Sequence, residues 1–186
     1  MTAYQQPDID CQLCPRLVEF RRANQEKFPQ FYNGPVRPFG PINARLLIVG
    51  LAPGLKGANA TGRPFTGDYA GDLLYDTLKK FGFAKGTYDK RPDDGLELLD
   101  CRITNAVKCV PPENKPTGPE ANACRPFLIS EFAAMENLSA ILCLGQVAHQ
   151  AMLRTFGLKL SSLKFAHGAS HKMENGITLF DSYHCS

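Results

Sequence analysis

A run of four apolar residues, Leu46-Leu47-Ile48-Val49, passes directly into a Gly/Pro-rich stretch, Gly50 to Asp68. A short uninterrupted apolar run reads as a strand buried on both faces, the kind found in parallel sheets. Ligands of open α/β sheets bind where such strands end. Residues 50–68 offer almost nothing that packs a core, and glycine lets backbone approach a ligand closely. Ordinary surface turns share this composition, but connections in compact domains have a median of about 4–6 residues, so the length of this one argues for function. No Gly-Lys-Ser/Thr ending follows, and the glycines at 50, 54 and 57 miss the dinucleotide spacing, which argues against a nucleoside triphosphate or dinucleotide site.

The remaining periodicity fills in a fold. Strands are expected at Arg45–Val49, Cys101–Val107, Ala140–Leu144 and Thr178–Tyr183, and helices at 15–28, about 70–81, about 120–136 and 146–156. The helix over 70–81 is expected to turn Leu73, Leu74, Thr77, Leu78 and Phe81 inward, and Leu17, Phe20 and Arg21 share a helical spacing. Residues 84–100 read as irregular. Strands alternating with helices make this an α/β chain with a parallel sheet covered on both faces. Right-handed crossovers then bring residues 50–68, 105–109 and 184–186 to one sheet edge.

At 186 residues and 44% hydrophobic content, the chain suits a single core. A net charge of +3 permits a nucleic-acid partner without implying one. No segment approaches the roughly 20 apolar residues that span a bilayer, and the N-terminus lacks a signal-peptide core, so no membrane association and a cytoplasmic location are expected.

Seven cysteines are many for an intracellular chain. Cys11 and Cys14 form a Cys-x2-Cys pair, and Cys109 and Cys124 flank a segment carrying Pro111, Pro112, Pro116 and Pro119. Four thiolates hold either zinc or an iron–sulfur cluster, and the ligand count does not separate them. The alternative for Cys11 and Cys14 is a redox pair, although no thioredoxin-type strand–helix pattern surrounds them. Cys143 reads as a small buried hydrophobe; Cys101 and Cys185 have no assignment by spacing.

The motifs taken together resemble those of the uracil-DNA glycosylase superfamily, most closely its iron–sulfur family 5 (type B). They are Cys11-x2-Cys14, Gly50-Leu-Ala-Pro-Gly54, Thr61-Gly-Arg-Pro-Phe-Thr-Gly-Asp68, Asn105-Ala-Val-Lys-Cys109 with Pro-Pro-Glu-Asn-Lys-Pro after it, Cys124 and His184-Cys-Ser186. The resemblance covers nearly the whole chain, residues 1–186 as one domain. It implies a three-layer α/β/α sandwich around a four-stranded parallel sheet, a 4Fe-4S cluster on Cys11, Cys14, Cys109 and Cys124, and a family domain that continues past Ser186 with a loop entering the duplex. The implied activity is hydrolysis of the N-glycosidic bond of a flipped-out base in double-stranded, and also single-stranded, DNA by a monomer. Uracil is the expected substrate, with hypoxanthine and ethenocytosine beside it, and the product is an abasic site.

Each site residue then has an expected task. Phe65 stacks on the extruded base, a contact worth about 1–3 kcal/mol, with a core Phe as the alternative. Asn105 pairs with the O4 and N3–H edge of uracil, or caps its own turn. His184 donates to O2 of the departing base, where negative charge accumulates. Gly50, Ala52, Pro53 and Gly54 form the substrate loop, and Lys115 belongs to a basic loop that meets phosphate oxygens. Ala52 stands where most of the superfamily has Asp, Asn or Glu, so Asp68 and the carbonyls of the 52–54 turn are expected to orient the water. Ala60 replaces the family's usual Arg. A catalytically silent iron–sulfur nucleic-acid-binding module and an electron-transfer protein are the competing readings.

Overall fold

The structure is a computed structural model that describes residues 4–186. After helix α1 (Pro15–Lys27), strand β1 (Leu46–Gly50) enters the core, and a short helix α2 (Ala58–Thr61) interrupts the long loop before α3 (Tyr69–Lys80). Two short strands, β2 (Ala84–Lys85) and β3 (Glu97–Leu98), precede β4 (Cys101–Asn105); then come α4 (Gly118–Ala134), β5 (Ala140–Leu144), α5 (Gln146–Thr155), β6 (Ser170–Lys172) and β7 (Thr178–Ser182).

The main sheet runs β4-β1-β5-β7-β6, with β4, β1, β5 and β7 mutually parallel. The four expected strands are present. A fifth, β6, pairs antiparallel to β7 and corrects the four-stranded expectation. Its residues, Ser170-His171-Lys172, are polar and largely exposed at a sheet edge, so no apolar run betrays it. Residues 84–100 are likewise not wholly irregular, because β2 and β3 pair in register Ala84↔Leu98. The second strand ends at Asn105 rather than Val107, where Ala106 N–H turns to Gly50 O.

Two apolar clusters give the three layers. Leu47, Val49, Ile141, Cys143 and Leu179 pack with Leu128, Ala148 and Met152 from α4 and α5. On the other face Ile48, Ile103 and Leu144 meet Leu74, Tyr75 and Leu78 from α3. The inward face of α3 also differs from expectation. Ala70, Gly71, Leu74, Tyr75 and Leu78 are buried, whereas Thr77 is exposed and Leu73 and Phe81 are 52% and 67% exposed. Gly71 explains the rotation: a Cβ there would lie 1.9 Å from the Phe65 carbonyl oxygen, so the helix presses its backbone against the preceding loop. In α1 the buried residues are Leu17, Val18, Arg21 and Asn24, with Phe20 half-buried.

Candidate active site

Strands β1 and β4 end side by side at Gly50 and Asn105, and the loops that leave them enclose a cavity of about 420 Å³. Ala52, Gly54, Phe65, Asp68, Asn105 and His184, drawn from four separate parts of the chain, all line it. Two of the expected residues do not. Pro53 is buried away from the wall, and Gly50 lies beneath it, where a Cβ would sit 2.5 Å from Asn105 Oδ1 and 2.8 Å from the Phe65 ring. Glycine is required at 50 by proximity: it lets the amide and the ring occupy the strand end together.

Phe65 sits in left-handed backbone, φ +50°, in a turn fastened from several sides. The Tyr75 hydroxyl donates to Pro64 O, the Tyr88 hydroxyl donates to Phe65 O at 3.2 Å, and Arg63 Nε donates to Thr66 Oγ1 at 2.8 Å. Arg63 also forms a buried two-point ion pair with Asp94, at 2.9 and 2.8 Å. Burial of Asp94 opposes its ionisation, but hydrogen bonds from Arg63 and from the Asp89 and Leu96 amides outweigh burial, and its carboxyl is held well below the usual carboxylate range. A bulky residue at positive φ costs about 1–3 kcal/mol. The surrounding contacts hold it there and aim the ring.

Asn105 is 3% exposed, and its Oδ1 has no hydrogen-bond partner. A buried polar atom left unpaired costs about 1–3 kcal/mol, and one that faces a cavity is suited to a ligand. His184 faces the Phe65 ring with centroids 5.8 Å apart and planes 28° from parallel. Its Nδ1 accepts from Ser186 N–H at 3.3 Å and lies 3.0 Å from Ser186 Oγ, so the neutral ring carries its proton on Nε2 as a donor. Asp68 divides its carboxylate: Oδ1 accepts from Gly71 N–H as the N-cap of α3, and Oδ2 lies over the Gly54–Gly57 turn.

A second site adjoins the first through the same segment. The four thiols of Cys11, Cys14, Cys109 and Cys124 line one small cavity, beside Arg21 and Lys108. Arg21 bonds Cys11 O at 2.9 Å and brings Nη1 to 3.9 Å from Cys109 Sγ, and Lys108 N–H donates to Cys124 Sγ at 3.4 Å. Burial, then the neighbouring Cys124 thiolate, push the Cys109 thiol up to about 12 and the Cys14 thiol up to about 11. A cationic centre reverses that preference and takes the thiols as thiolates. A tetrahedral zinc ion and an iron–sulfur cluster each take four thiolates, and this donor set fits either.

Between the two sites, Glu131 of α4 is buried and accepts from Arg102 Nε at 2.6 Å, from Thr104 Oγ1 at 2.8 Å and from Lys108 Nζ at 3.4 Å. Lys108 is therefore a buried strut. It is not a surface cation.

Residues 37–186 match the Uracil DNA glycosylase superfamily. A type-5 uracil-DNA glycosylase of Thermus thermophilus is 40% identical over 99% of this chain and 86% of its own length. The chain belongs to this superfamily. A type-5 relative from Pyrobaculum aerophilum is 37% identical over 96% of the chain and 79% of its own length, and a type-4 relative from Archaeoglobus fulgidus is 32% identical over 73% and 60%. Within the superfamily fold the cavity also takes Tyr69, 69% exposed at its rim, and Asn114, in left-handed backbone at φ +57°. Neither stands out in the sequence as a site residue. A signal for Asn114 is present in Pro111-Pro112-Glu113-Asn114, because asparagine tolerates that conformation at a turn. Tyr69 carries no comparable signal.

Proposed function

We propose that this chain removes uracil from DNA by hydrolysing the N-glycosidic bond and leaving an abasic site. Membership of the superfamily supports the reaction class. The observation that carries the residue roles is the convergence of the Phe65 ring, the unpartnered Asn105 amide and the His184 donor on one cavity.

In this reading an extruded base slides onto Phe65, and the Asn105 carboxamide supplies a donor and an acceptor to the uracil O4 and N3–H edge. As the bond to the sugar breaks, charge moves onto the base, and His184 Nε2–H donates to O2 where that charge gathers. Asp68 Oδ2, with carbonyls of the 52–54 turn, orients the water that meets the electron-poor sugar carbon. Ala52 places only a methyl at the wall, which supports acceptance of bulkier lesions such as hypoxanthine and ethenocytosine.

Cys11, Cys14, Cys109 and Cys124 are the residues that would hold a 4Fe-4S cluster, which supplies a structural crosslink when bound. The loop they flank, with Lys115 exposed at its tip, then meets DNA phosphates. The partner is double-stranded DNA with a damaged base, single-stranded DNA being a second substrate, bound by a monomer in the cytoplasm. No helix among the described residues is long and apolar enough to cross a membrane.

The test is incubation with duplex oligonucleotides carrying uracil, hypoxanthine or ethenocytosine, followed by alkali. Strand breaks at uracil are expected. Intact uracil strands despite measurable DNA binding would instead favour the silent binding module.

A further inference from the structure

The far side of the sheet holds a cluster that the glycosylase site does not use. Strand β7 alternates Leu179 inward, Phe180 outward and Asp181 inward, so a carboxylate occupies a core-facing position beside Cys143 of β5. A fully buried charge in an apolar layer breaks the pattern that builds the rest of the strand, and such breaks mark functional positions.

Two imidazoles from two other elements close on it. His149 of α5 brings Nδ1 to 2.7 Å from Asp181 Oδ1, and His171 of β6 brings Nε2 to 3.3 Å from Oδ2. One nitrogen from each ring and one carboxylate oxygen all lie within 4.8 Å of one another. Ligands of a tetrahedral ion with bonds of about 2.0–2.1 Å stand about 3.4 Å apart, so small adjustments of the rings suffice.

The outer contact of His149 has the arrangement that metal-bound histidines show. Its Nε2 lies 3.0 Å from the Leu163 carbonyl oxygen, an atom that can only accept. With Nε2 donating to that carbonyl, a cation bound between Nδ1 and Asp181 Oδ1 would take the place of the proton those two atoms share at 2.7 Å. His149 and Asp181 side chains are 2% and 0% exposed, whereas His171 is 17% exposed and opens the cluster to solvent. Two imidazoles with one carboxylate favour zinc-class ions over magnesium or calcium.

We propose that His149, His171 and Asp181 form a site for a divalent transition-metal ion of the zinc class, with water as fourth ligand, clamping β6 and α5 to β7. The clamp lies three residues before His184 and outside both the base cavity and the cysteine cavity.

The experiment uses protein purified with its iron intact, so that the cysteine thiols are occupied. The chain is stripped of loose metal with EDTA, desalted and titrated with zinc chloride, and zinc and iron are counted in the same gel-filtered samples. One zinc per chain is expected, with iron unchanged and a raised thermal midpoint. His171→Gln, at the exposed edge and therefore tolerable to the fold, should weaken zinc binding by about 100-fold or more, since even outer contacts are worth about 10–100-fold. Its iron content and uracil excision should not change. Asp181→Asn should lose the zinc as well, but the proposal does not depend on its folding. Equal zinc uptake by His171→Gln and the unsubstituted chain, or no uptake under excess zinc, overturns the site and leaves a hydrogen-bonded triad. The zinc count is independent of the activity, so a failure of the glycosylase reading leaves this result interpretable.

Discussion

Gly50 lies beneath the cavity with no room for a side chain. Gly50→Ala places a methyl against both Asn105 Oδ1 and the Phe65 ring, and overpacking of this kind costs about 1–3 kcal/mol. Both a lowered thermal midpoint and a loss of uracil excision are expected; unchanged excision would mean that the ring and amide need not be so close. His184 is exposed, so His184→Ala should leave stability unaltered and lower single-turnover excision by about 10²–10³-fold, the usual effect of removing one donor to a developing anion. Asn105→Asp should depress uracil excision too, because a carboxylate cannot donate to O4 and repels a departing anion. These residues were legible in the sequence because each lies in a motif at the end of a strand. Gly50 was legible as a loop residue only: its role as the space beneath an amide and a ring depends on two distant segments meeting, which no local pattern encodes.

At the level of elements, α3 shows where periodicity misleads. Leu73 and Phe81 fit the apolar stripe as well as Leu74 and Leu78 do, and only the press of Gly71 against the Phe65 carbonyl decides which side faces inward. Leu74→Ala should cost about 2–5 kcal/mol in urea unfolding, whereas Leu73→Gln should stay within about 0.5 kcal/mol, as exposed substitutions do. Equal costs would refute the observed face. The same helix separates the two duties of Asp68. Serine caps helices as well as aspartate does, so Asp68→Ser should preserve stability while removing the carboxylate over the Gly54–Gly57 turn. Excision that falls with the thermal midpoint unchanged would assign Asp68 to the chemistry. β1 and β5 were legible as apolar runs, and β4 and β7 as shorter segments with Ile, Thr, Leu or Phe at their centres; β6, polar and held only by its neighbour, was not.

For the whole molecule, the Arg63–Asp94 pair makes stability depend on acidity. The folded-state carboxyl of Asp94 titrates below the unfolded value of about 3.9, so its contribution is fully present above that pH and is lost as pH falls through the folded value. Asp94→Asn should flatten this acid limb. At neutral pH it should also destabilise the fold by about 3–5 kcal/mol, because Arg63 is left buried without a counter-charge. Urea melts at a series of pH values measure both effects. The three-layer plan and the meeting of strand-end loops followed from the order of elements, while the buried ion pairs did not, since no local pattern joins Arg63 to Asp94 or Arg102 to Glu131.

Asn105 and Cys109 stand four positions apart on one length of backbone, with Lys108 and Glu131 bracing the interval between them. Whatever disturbs the thiols therefore pulls on the Asn105 amide. On the proposed cluster reading, chain stripped of iron is expected to lose uracil excision while its sheet still melts cooperatively, so that metal starvation would yield an intact-looking protein blind to its target.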